Sequence, residues 1–347
     1  MNLLKNMYID DRMVLKDKIP LRVPLCISIE PSNICNFKCV MCFHGNNECD
    51  ERTKPLKNMD MECFEKTVMD IKKWVDECDE KVKLIKLYSL GEPLIHPNIC
   101  EMVKRIKELN ICDELEITTN ASLLNEEIAE KLVDSGLDIL RISIYGVNVE
   151  QHKYITKSLI MPEKIRENVL YLKKYREEQK SNVPKIITKM LDTYSEENQK
   201  FLDSYKGIVD MVGIDEPFQL QLGDADVFEN LYQENAKEAH ECAMKTNLYD
   251  KKKACRYPFT HMTIRSDGKV VVCCSDWIKE LSYGNVMEHS LKELWESKTL
   301  YDVRCKMLKH KGENWEICKN CEIPYRDAPE DAVDEVDIKC LKYSNNF

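Results

Sequence analysis

Residues 29–42, IEPSNICNFKCVMC, place Cys35, Cys39 and Cys42 on a loop that directly follows a short apolar strand. Active sites of parallel α/β folds collect at the carboxyl ends of their strands. Three closely spaced thiolates can hold three irons of a [4Fe–4S] cubane and leave the fourth iron open. The alternative is a zinc site with His44 as fourth ligand, but the single residue between Cys42 and His44 is shorter than the usual zinc-knuckle spacing.

Outward from this loop, strand-like and helix-like segments alternate. The strand-like segments are 25–29, 84–89, 115–119, 139–144, 186–190 and 211–214. The helix-like segments are one after Asp60, 99–109, one from Asn125 to Gly136, 163–179 and 195–205. Parallel strands need crossover connections, so this alternation predicts a parallel sheet covered by helices. Periodicity leaves open whether the sheet is doubly wound or forms a partial barrel.

A second group of cysteines follows a change of pattern, and we place a domain boundary near residues 225–250. Its members are Cys255, Cys273, Cys318 and Cys321. The Cys-x-x-Cys pair at 318 and 321 is suited to one metal ion or one cluster edge, so the group predicts a four-thiolate site. By spacing alone, zinc is an alternative to iron and sulfide. A turn at 266–268 predicts a hairpin that leads into a strand at 270–272.

The chain has seventeen cysteines, and its first residues lack the apolar core of a signal sequence. Reduced, metal-binding cysteines are therefore favoured over disulfides. Three of the others occupy apolar helix or strand positions and are predicted to be buried hydrophobic residues: Cys26, Cys63 and Cys78. Six more lack a ligand spacing: Cys49, Cys100, Cys112, Cys242, Cys305 and Cys340.

Charge and hydropathy exclude two classes of partner. The formal net charge is −10 without a dense Lys/Arg block, which argues against sequence-independent nucleic-acid binding. No apolar run approaches the length that spans a membrane. We therefore expect a cytoplasmic protein that binds neither nucleic acid nor membrane.

The stretch 29–42 resembles the signature of the radical S-adenosylmethionine (SAM) superfamily, with Met41 where that family usually has an aromatic residue. Three further segments, each after a later strand, resemble the family's SAM-contact elements: Gly91-Glu92, preceded by Leu90 in place of a glycine; the loop at Asn120; and Ser143 with Tyr145. The resemblance implies SAM contacts at Met41, Gly91, Glu92, Asn120, Ser143 and Tyr145. It also selects a partial (β/α)6 TIM-like barrel.

Within this family the second group of cysteines resembles a SPASM or twitch domain. Only Cys340 follows Cys321, whereas a full SPASM domain has further cysteines, so the resemblance implies one auxiliary [4Fe–4S] cluster closed by four cysteines. The implied organisation is an N-terminal extension at 1–22, a radical SAM core at 23–235 and a cysteine-rich domain at 236–347. Cys274, next to an implied ligand, is either a hydrogen donor to a substrate radical or a buried cysteine.

The resemblance implies an enzyme of oxidoreductase, epimerase or lyase type. It would cleave SAM with an electron from a donor such as flavodoxin or ferredoxin, and abstract hydrogen from a carbohydrate-like substrate. The outcome would be epimerisation, dehydrogenation or dehydration. One alternative is a maturase of a ribosomally made peptide, although about 22 residues before the first strand are too few for a peptide-binding domain. A second is a non-enzymatic iron–sulfur or zinc module, which would not cleave SAM.

Overall fold

The computed structural model describes residues 13–45, 54–215, 253–319 and 321–344. Its strands are β1 Cys26–Ile29, β2 Val82–Lys86, β3 Cys112–Thr119, β4 Ile139–Ile144, β5 Lys185–Leu191, β6 Met211–Asp215, β7 His261–Ile264, β8 Lys269–Val271 and β9 Ser282–Asn285. In the described part of the chain they form one sheet in the order β6-β5-β4-β3-β2-β1-β7-β8-β9. The proposed boundary near 225–250, together with Cys49 and Cys242, lies outside the described residues.

Helices cover the sheet. They are α1 Met61–Cys78, α2 Ile99–Leu109, α3 Glu126–Asp134, α4 Val149–Thr156, α5 Pro162–Glu178, α6 Glu197–Tyr205, α7 Tyr257–Thr260, α8 Leu291–Trp295, α9 Lys298–His310, α10 Glu316–Lys319 and α11 Ile323–Arg326. Strands β1 to β6 pair in parallel and form the predicted open partial barrel. Across the described ranges, none of the helices is long and apolar enough to cross a membrane.

The helix-facing side of the sheet is apolar. Ile85, Leu115, Ile117, Leu140 and Ile142 are all 0% exposed and belong to the main core. Alternate residues of a strand point to opposite faces, so these residues share one side of the sheet. Burying each such side chain stabilises the fold by about 1.5–3 kcal/mol.

The ends of α1 and α3 show how local sequence sets helix boundaries. Asn125 accepts a hydrogen bond from the Ile128 amide at 2.9 Å, and Gly136 takes a φ of +72° just after the helix, as predicted. Asp60 does precede α1, but its carboxylate pairs with Lys57 at 2.8 Å and forms no side-chain cap.

Two features depart from the sequence-based expectation. Helix α4 was not predicted, because it has eight residues and lacks a long apolar stripe. Strand β7 pairs in parallel with β1, so the cysteine-rich region extends the core sheet. The β7–β8 hairpin that follows is antiparallel, as the turn at 266–268 predicts.

The described part of the N-terminal extension packs against the C-terminal region. Leu15 and Ile19 share a buried apolar cluster with Met307 and Val333. The Leu21 carbonyl oxygen accepts a hydrogen bond from the indole of Trp295 at 3.1 Å. These contacts therefore join residues 15–21 to the C-terminal region.

A buried ion pair joins the two regions. The Glu30 and Arg265 side chains are each 1% exposed, and Arg265 Nη1 lies 3.0 Å from Glu30 Oε2. Glu30 also accepts hydrogen bonds from the amides of Leu90 and Ser266, at 3.3 and 3.1 Å. Arg265 Nη1 donates to Ser89 Oγ at 2.6 Å. The pair therefore connects the segment before the first cysteine loop with the turn that follows strand β7.

We expect Glu30→Gln to lower the free energy of unfolding by about 3–5 kcal/mol, because it leaves the Arg265 guanidinium buried without a counter-charge. The matched control is Glu65→Gln, whose partner Arg105 is a surface residue, and it should cost less than about 1 kcal/mol. Urea unfolding of the anaerobically purified proteins measures both. Equal losses for the two variants would contradict the structural importance of the buried pair.

Candidate active site

The loop that carries Cys35, Cys39 and Cys42 follows β1 and rests on the end of α4. The backbone amides of Lys38 and Val40 donate to the last carbonyls of α4 at 3.0 and 2.9 Å. Within the loop, the Cys42 amide donates to the Cys39 carbonyl oxygen at 2.9 Å. Backbone hydrogen bonds therefore set the positions of the three thiols.

The three thiols face one another. Burial raises the pKa of Cys35 to about 12, and it also raises the pKa of Cys39 and Cys42 above the ordinary value. The neighbouring sulfurs raise the pKa of Cys39 further. Three neighbouring thiolates repel one another unless a cation binds them, and a thiolate set is what an iron–sulfur cluster requires. The residues present therefore suit a cluster with three protein ligands.

Gly91 brings the next loop against the cysteine loop. A Cβ at this position would lie 2.5 Å from the Ile34 carbonyl oxygen and closer still to that of Ser32. The adjacent Glu92 amide donates to the same Ile34 oxygen at 2.8 Å. Only glycine allows this approach, so the loop at 89–92 and the cysteine loop are in direct backbone contact.

The Glu92 carboxylate ties together the ends of β2 and β3. It accepts hydrogen bonds from the Leu94 amide, the Thr119 hydroxyl and the Asn120 amide at 3.1, 2.5 and 2.8 Å. Burial raises its pKa to about 7, although the Asn120 and Thr119 donors oppose this shift. Both oxygens thus have protein donors, and the side chain positions the loops around the cysteines.

The Asn120 side chain also contacts the cysteine loop. Its Nδ2 donates to Asn36 Oδ1 at 3.0 Å, and Asn36 Nδ2 donates to Ser122 Oγ at 2.8 Å. Ser122 Oγ in turn donates to Asn120 Oδ1 at 2.5 Å. This closed ring of hydrogen bonds holds the loop after β3 beside Cys35.

Ser143 lies at the end of β4 and Tyr145 directly follows this strand, at the same edge of the barrel. Burial raises the pKa of Tyr145, and the sulfurs of Cys39, Cys42 and Cys35 raise it further, while a hydrogen bond with Ser143 opposes the shift. The phenol therefore stays neutral and faces the three thiols. Met41 is partly buried against the core between two of these cysteines in sequence.

The four cysteines of the second group line one cavity: Cys255, Cys273, Cys318 and Cys321. Burial raises the pKa of Cys255 most, and the sulfurs of Cys321 and Cys318 raise it further. The Cys321 amide donates to the Cys318 carbonyl oxygen at 3.2 Å, which turns the two side chains toward the same space. Four converging thiols suit a metal centre closed by protein ligands.

Cys274 is not among the residues that line this cavity. Its pKa is lowered, first by a hydrogen bond from the Cys273 thiol and then, against burial, by the charges of Lys86 and Arg265. Arg265 Nη2 donates to the carbonyl oxygens of Cys273 and Cys274 at 3.3 and 3.0 Å. The Cys274 thiol therefore lies near the charges of Lys86 and Arg265 while it also contacts the neighbouring Cys273 thiol.

Zinc-like geometry is not found in the part of the chain that the structure describes. There, no three His, Cys, Asp or Glu side chains converge closely enough to hold a single metal ion. Each thiolate of a cubane binds a different iron, so ligands of a cluster lie further apart than those of one zinc ion. His44 stacks on Phe43 with ring centroids 3.9 Å apart, and its Nε2 is buried without a hydrogen-bond partner.

Two family models match the chain on either side of the range 216–252. The model of the radical SAM superfamily matches residues 29–201, which include Cys35, Cys39 and Cys42. The SPASM model, described as an iron–sulfur cluster-binding domain, matches residues 255–322, which include the four cysteines of the second group. The chain belongs to the radical SAM superfamily. Its C-terminal region is a SPASM domain.

Two sequence relatives match the chain over different lengths. A protein of Pyrococcus furiosus, named as a tungsten-containing aldehyde ferredoxin oxidoreductase cofactor-modifying protein, is 28% identical over 342 residues and covers 90% of each chain. A probable GTP 3',8-cyclase of Methanocaldococcus jannaschii is 34% identical over 145 residues, which is 41% of this chain and 43% of that protein. The second match therefore concerns less than half of either chain.

Solved structures share the fold. BtrN in complex with AdoMet and 2-DOIA has a TM-score of 0.54 at 14% identity and covers 91% of this chain and 96% of its own. SuiB of Streptococcus suis bound to S-adenosylmethionine has a TM-score of 0.61 at 18% identity. The match covers 93% of this chain and 79% of SuiB. At such identities the likeness concerns the radical SAM fold.

The inner face of the radical SAM barrel is polar, in contrast to the apolar helix-facing side. In chain order, the residues of this face are Lys86, Tyr88, Glu116, Thr118, Arg141, Ser143, Tyr145, Lys189, Asp215 and His261. All but Glu116 are only partly buried, so they border a space that solvent can enter. Two ion pairs lie on this face, Arg141 Nη2 with Glu116 at 2.9 Å and Lys189 with Asp215 at 2.8 Å.

Sequence reasoning named Ser143 and Tyr145 but missed the other inner-face residues and the Glu30–Arg265 pair. A signal for the first was present, because charged residues alternate with buried aliphatic residues at Lys86, Glu116 and Arg141. For the second there was none, since its partners are separated by 235 positions.

We expect Gly91→Ala to reduce the iron content after anaerobic reconstitution, because the added methyl group must displace the backbone that carries Cys35. The control is Gly207→Ala, which faces the strain of a φ of +74° but has no neighbouring atom within 4 Å. Iron and sulfide analysis should show a loss for Gly91→Ala and a wild-type content for Gly207→Ala. Wild-type iron in Gly91→Ala would show that the two loops do not depend on each other.

Proposed function

We propose that this radical SAM enzyme cleaves S-adenosylmethionine reductively and abstracts a hydrogen atom from a small, carbohydrate-like molecule. The observation that carries the proposal is the position of the three-thiol loop beside a polar, solvent-accessible barrel interior. A sugar or aminocyclitol has many hydroxyl or amino groups, and the inner face offers both charged and hydroxyl partners. The proposed outcomes are epimerisation, dehydrogenation or dehydration.

When bound by Cys35, Cys39 and Cys42, the cluster and SAM together supply a 5′-deoxyadenosyl radical that takes hydrogen from an unactivated C–H bond. The chain's own contribution is to position its loops. Gly91 brings the second loop into contact with the cysteine loop, and Glu92 joins that loop to β3. We assign SAM contacts to these residues and to Met41, Asn120, Ser143 and Tyr145, which lie on the same edge of the barrel.

The four-thiol cavity is proposed to hold one auxiliary [4Fe–4S] cluster. All four thiols belong to the protein, so no iron is left open for a substrate. We therefore propose a structural or electron-transfer role for this cluster, and flavodoxin or ferredoxin as the external electron donor. Together with the cluster on Cys35, Cys39 and Cys42, the proposed protein holds two four-iron clusters.

Two other substrate classes remain as alternatives. The relative from Pyrococcus furiosus is named for modifying the cofactor of an oxidoreductase, which supports a small-molecule cofactor as a second candidate. SuiB has been crystallised with its precursor peptide SuiA, and its fold resembles this one at 19% identity. The charge pairs on the inner face favour a small polar molecule over a peptide. A non-enzymatic module would not cleave SAM at all.

Iron counting combined with SAM cleavage tests the proposal. We expect about eight irons per wild-type chain after anaerobic reconstitution, and 5′-deoxyadenosine formation with dithionite. Replacing Cys35, Cys39 and Cys42 by Ala should leave about four irons and abolish cleavage. Replacing Cys318 and Cys321 by Ala should also leave about four irons but retain cleavage. Bound zinc without 5′-deoxyadenosine would contradict the proposed function.

Cys274 gives a second test of the proposed function, because in an epimerisation its protonated thiol would donate a hydrogen atom to the substrate radical. In D2O its thiol carries deuterium, so an epimerase should transfer one deuterium to each product molecule. Cys274→Ala should abolish product formation and preserve SAM cleavage, whereas Cys63→Ala, a buried helix cysteine, should preserve both. Mass spectrometry of product and 5′-deoxyadenosine separates the cases. Unchanged product formation in Cys274→Ala would eliminate the donor role.

A further inference from the structure

The charged residues on the inner face are paired, with one exception. Glu116 binds Arg141 through two contacts and accepts a hydrogen bond from the Tyr88 hydroxyl at 2.6 Å. Lys189 pairs with Asp215. Lys86, the last residue of β2, forms no hydrogen bond or ion pair with any residue of the described ranges. Its Nζ lies 5.9 Å from the centre of the Tyr88 ring.

Four groups surround the Lys86 ammonium besides Tyr88 and Glu116. Burial raises the pKa of Cys26 to about 11, and it raises the pKa of Tyr257 well above its ordinary value. The positive charge of Lys86 lowers both pKa values. Burial lowers the pKa of His261, and Lys86 lowers it further. Cys274 is the fourth group that this charge reaches. Glu116 is the carboxylate among these neighbours, and Arg141 already binds it.

The Lys86 ammonium is partly buried, and within the described residues the Tyr88 ring and the more distant charge of Glu116 offset its lost hydration without forming an ion pair. Such a cation on a solvent-accessible face is suited to an anion that enters with a ligand. Resting on the proposed function, we infer that Lys86 binds an anionic group of the substrate, either a phosphate or a carboxylate. The side chains of Tyr88 and Tyr257 lie near it, and the Tyr88 hydroxyl donates to Glu116 at 2.6 Å.

The sheet order sets the size of this substrate. Lys86 lies on β2, whereas Arg141, Ser143 and Tyr145 lie on or directly after β4, two strands away. Adjacent strands are about 4.8 Å apart, so the lateral distance is about 10 Å. A hexose-sized molecule with one terminal anionic group spans that distance. Its anion would lie beside Cys274, and its other end would lie near the three-thiol loop.

Binding to the reconstituted enzyme with SAM already present tests this inference by anaerobic calorimetry. The probes are glucose, glucose 6-phosphate and gluconate, which separate a neutral sugar from a phosphate and a carboxylate. Wild type should bind one of the two anionic probes at least about tenfold more tightly than glucose, as expected for a charge-assisted contact. The anionic probe that binds better identifies the group.

Lys86→Met and Lys86→Gln should abolish this preference, and Lys86→Arg should keep it. The matched control is Lys83→Met on the same strand, whose exposed ammonium already pairs with Asp113 at 2.8 Å. Iron content confirms that each variant is folded. The inference is overturned if wild type does not distinguish the anionic probes from glucose, if both neutral variants keep the preference, or if Lys83→Met loses it equally.

SAM cleavage with dithionite, measured without any probe, separates this inference from the proposed function. Wild type and the control Lys83→Met, whose exposed ammonium pairs with Asp113, should form equal amounts of 5′-deoxyadenosine. Absence of cleavage in both, with a Lys86-dependent preference for the anionic probe, would defeat the proposed function and leave the anion site standing. Cleavage without the preference would defeat the anion site alone.

Discussion

The buried ion pair between Glu30 and Arg265 is the interaction on which the arrangement of the two cysteine groups depends. Glu30 lies at the end of β1, five residues before Cys35. Arg265 follows β7 and donates to the carbonyl oxygens of Cys273, Cys274 and Asp276. One guanidinium therefore fixes the backbone of the second cysteine group relative to the strand that carries the first. Charges buried to this degree persist only when their hydrogen-bonding partners are in place.

The barrel edge assembles around this pair. The loop at 89–92 meets Glu30 through the Leu90 amide and meets the cysteine loop through Gly91. The Glu92 carboxylate in turn accepts a hydrogen bond from the Asn120 amide, just after the end of β3. The contacts that position the three thiols are thus mostly backbone contacts, organised by two buried carboxylates. The polar inner face lies directly beneath them, so a ligand there can reach both the three-thiol loop and Cys274.

The sequence predicted most of the parallel sheet, because each strand and helix of that part is defined by local hydrophobic spacing. Strand β4 was predicted with its observed bounds, and β2 was predicted too far toward its carboxyl end, since the chain leaves the sheet after Lys86 to reach Gly91. The cysteine groups were predictable because ligand spacing is also local. Pairing of β7 with β1 was not, because the pattern of a strand does not specify its neighbour. The absence of an ion pair between Lys86 and the other described residues likewise depends on side chains from several strands.

The pairing of β7 with β1 also bears on how the protein is made. Strand β1 lies in the interior of the finished sheet, with β2 on one side and β7 on the other. Its second neighbour is more than 230 residues away in the chain. During synthesis the barrel can form up to β6 while one edge of β1 still has unpaired backbone groups, and such edges are sites of aggregation. The SPASM region is therefore the part of the chain that closes this edge, so its deletion would expose the strand that leads to the catalytic cysteines.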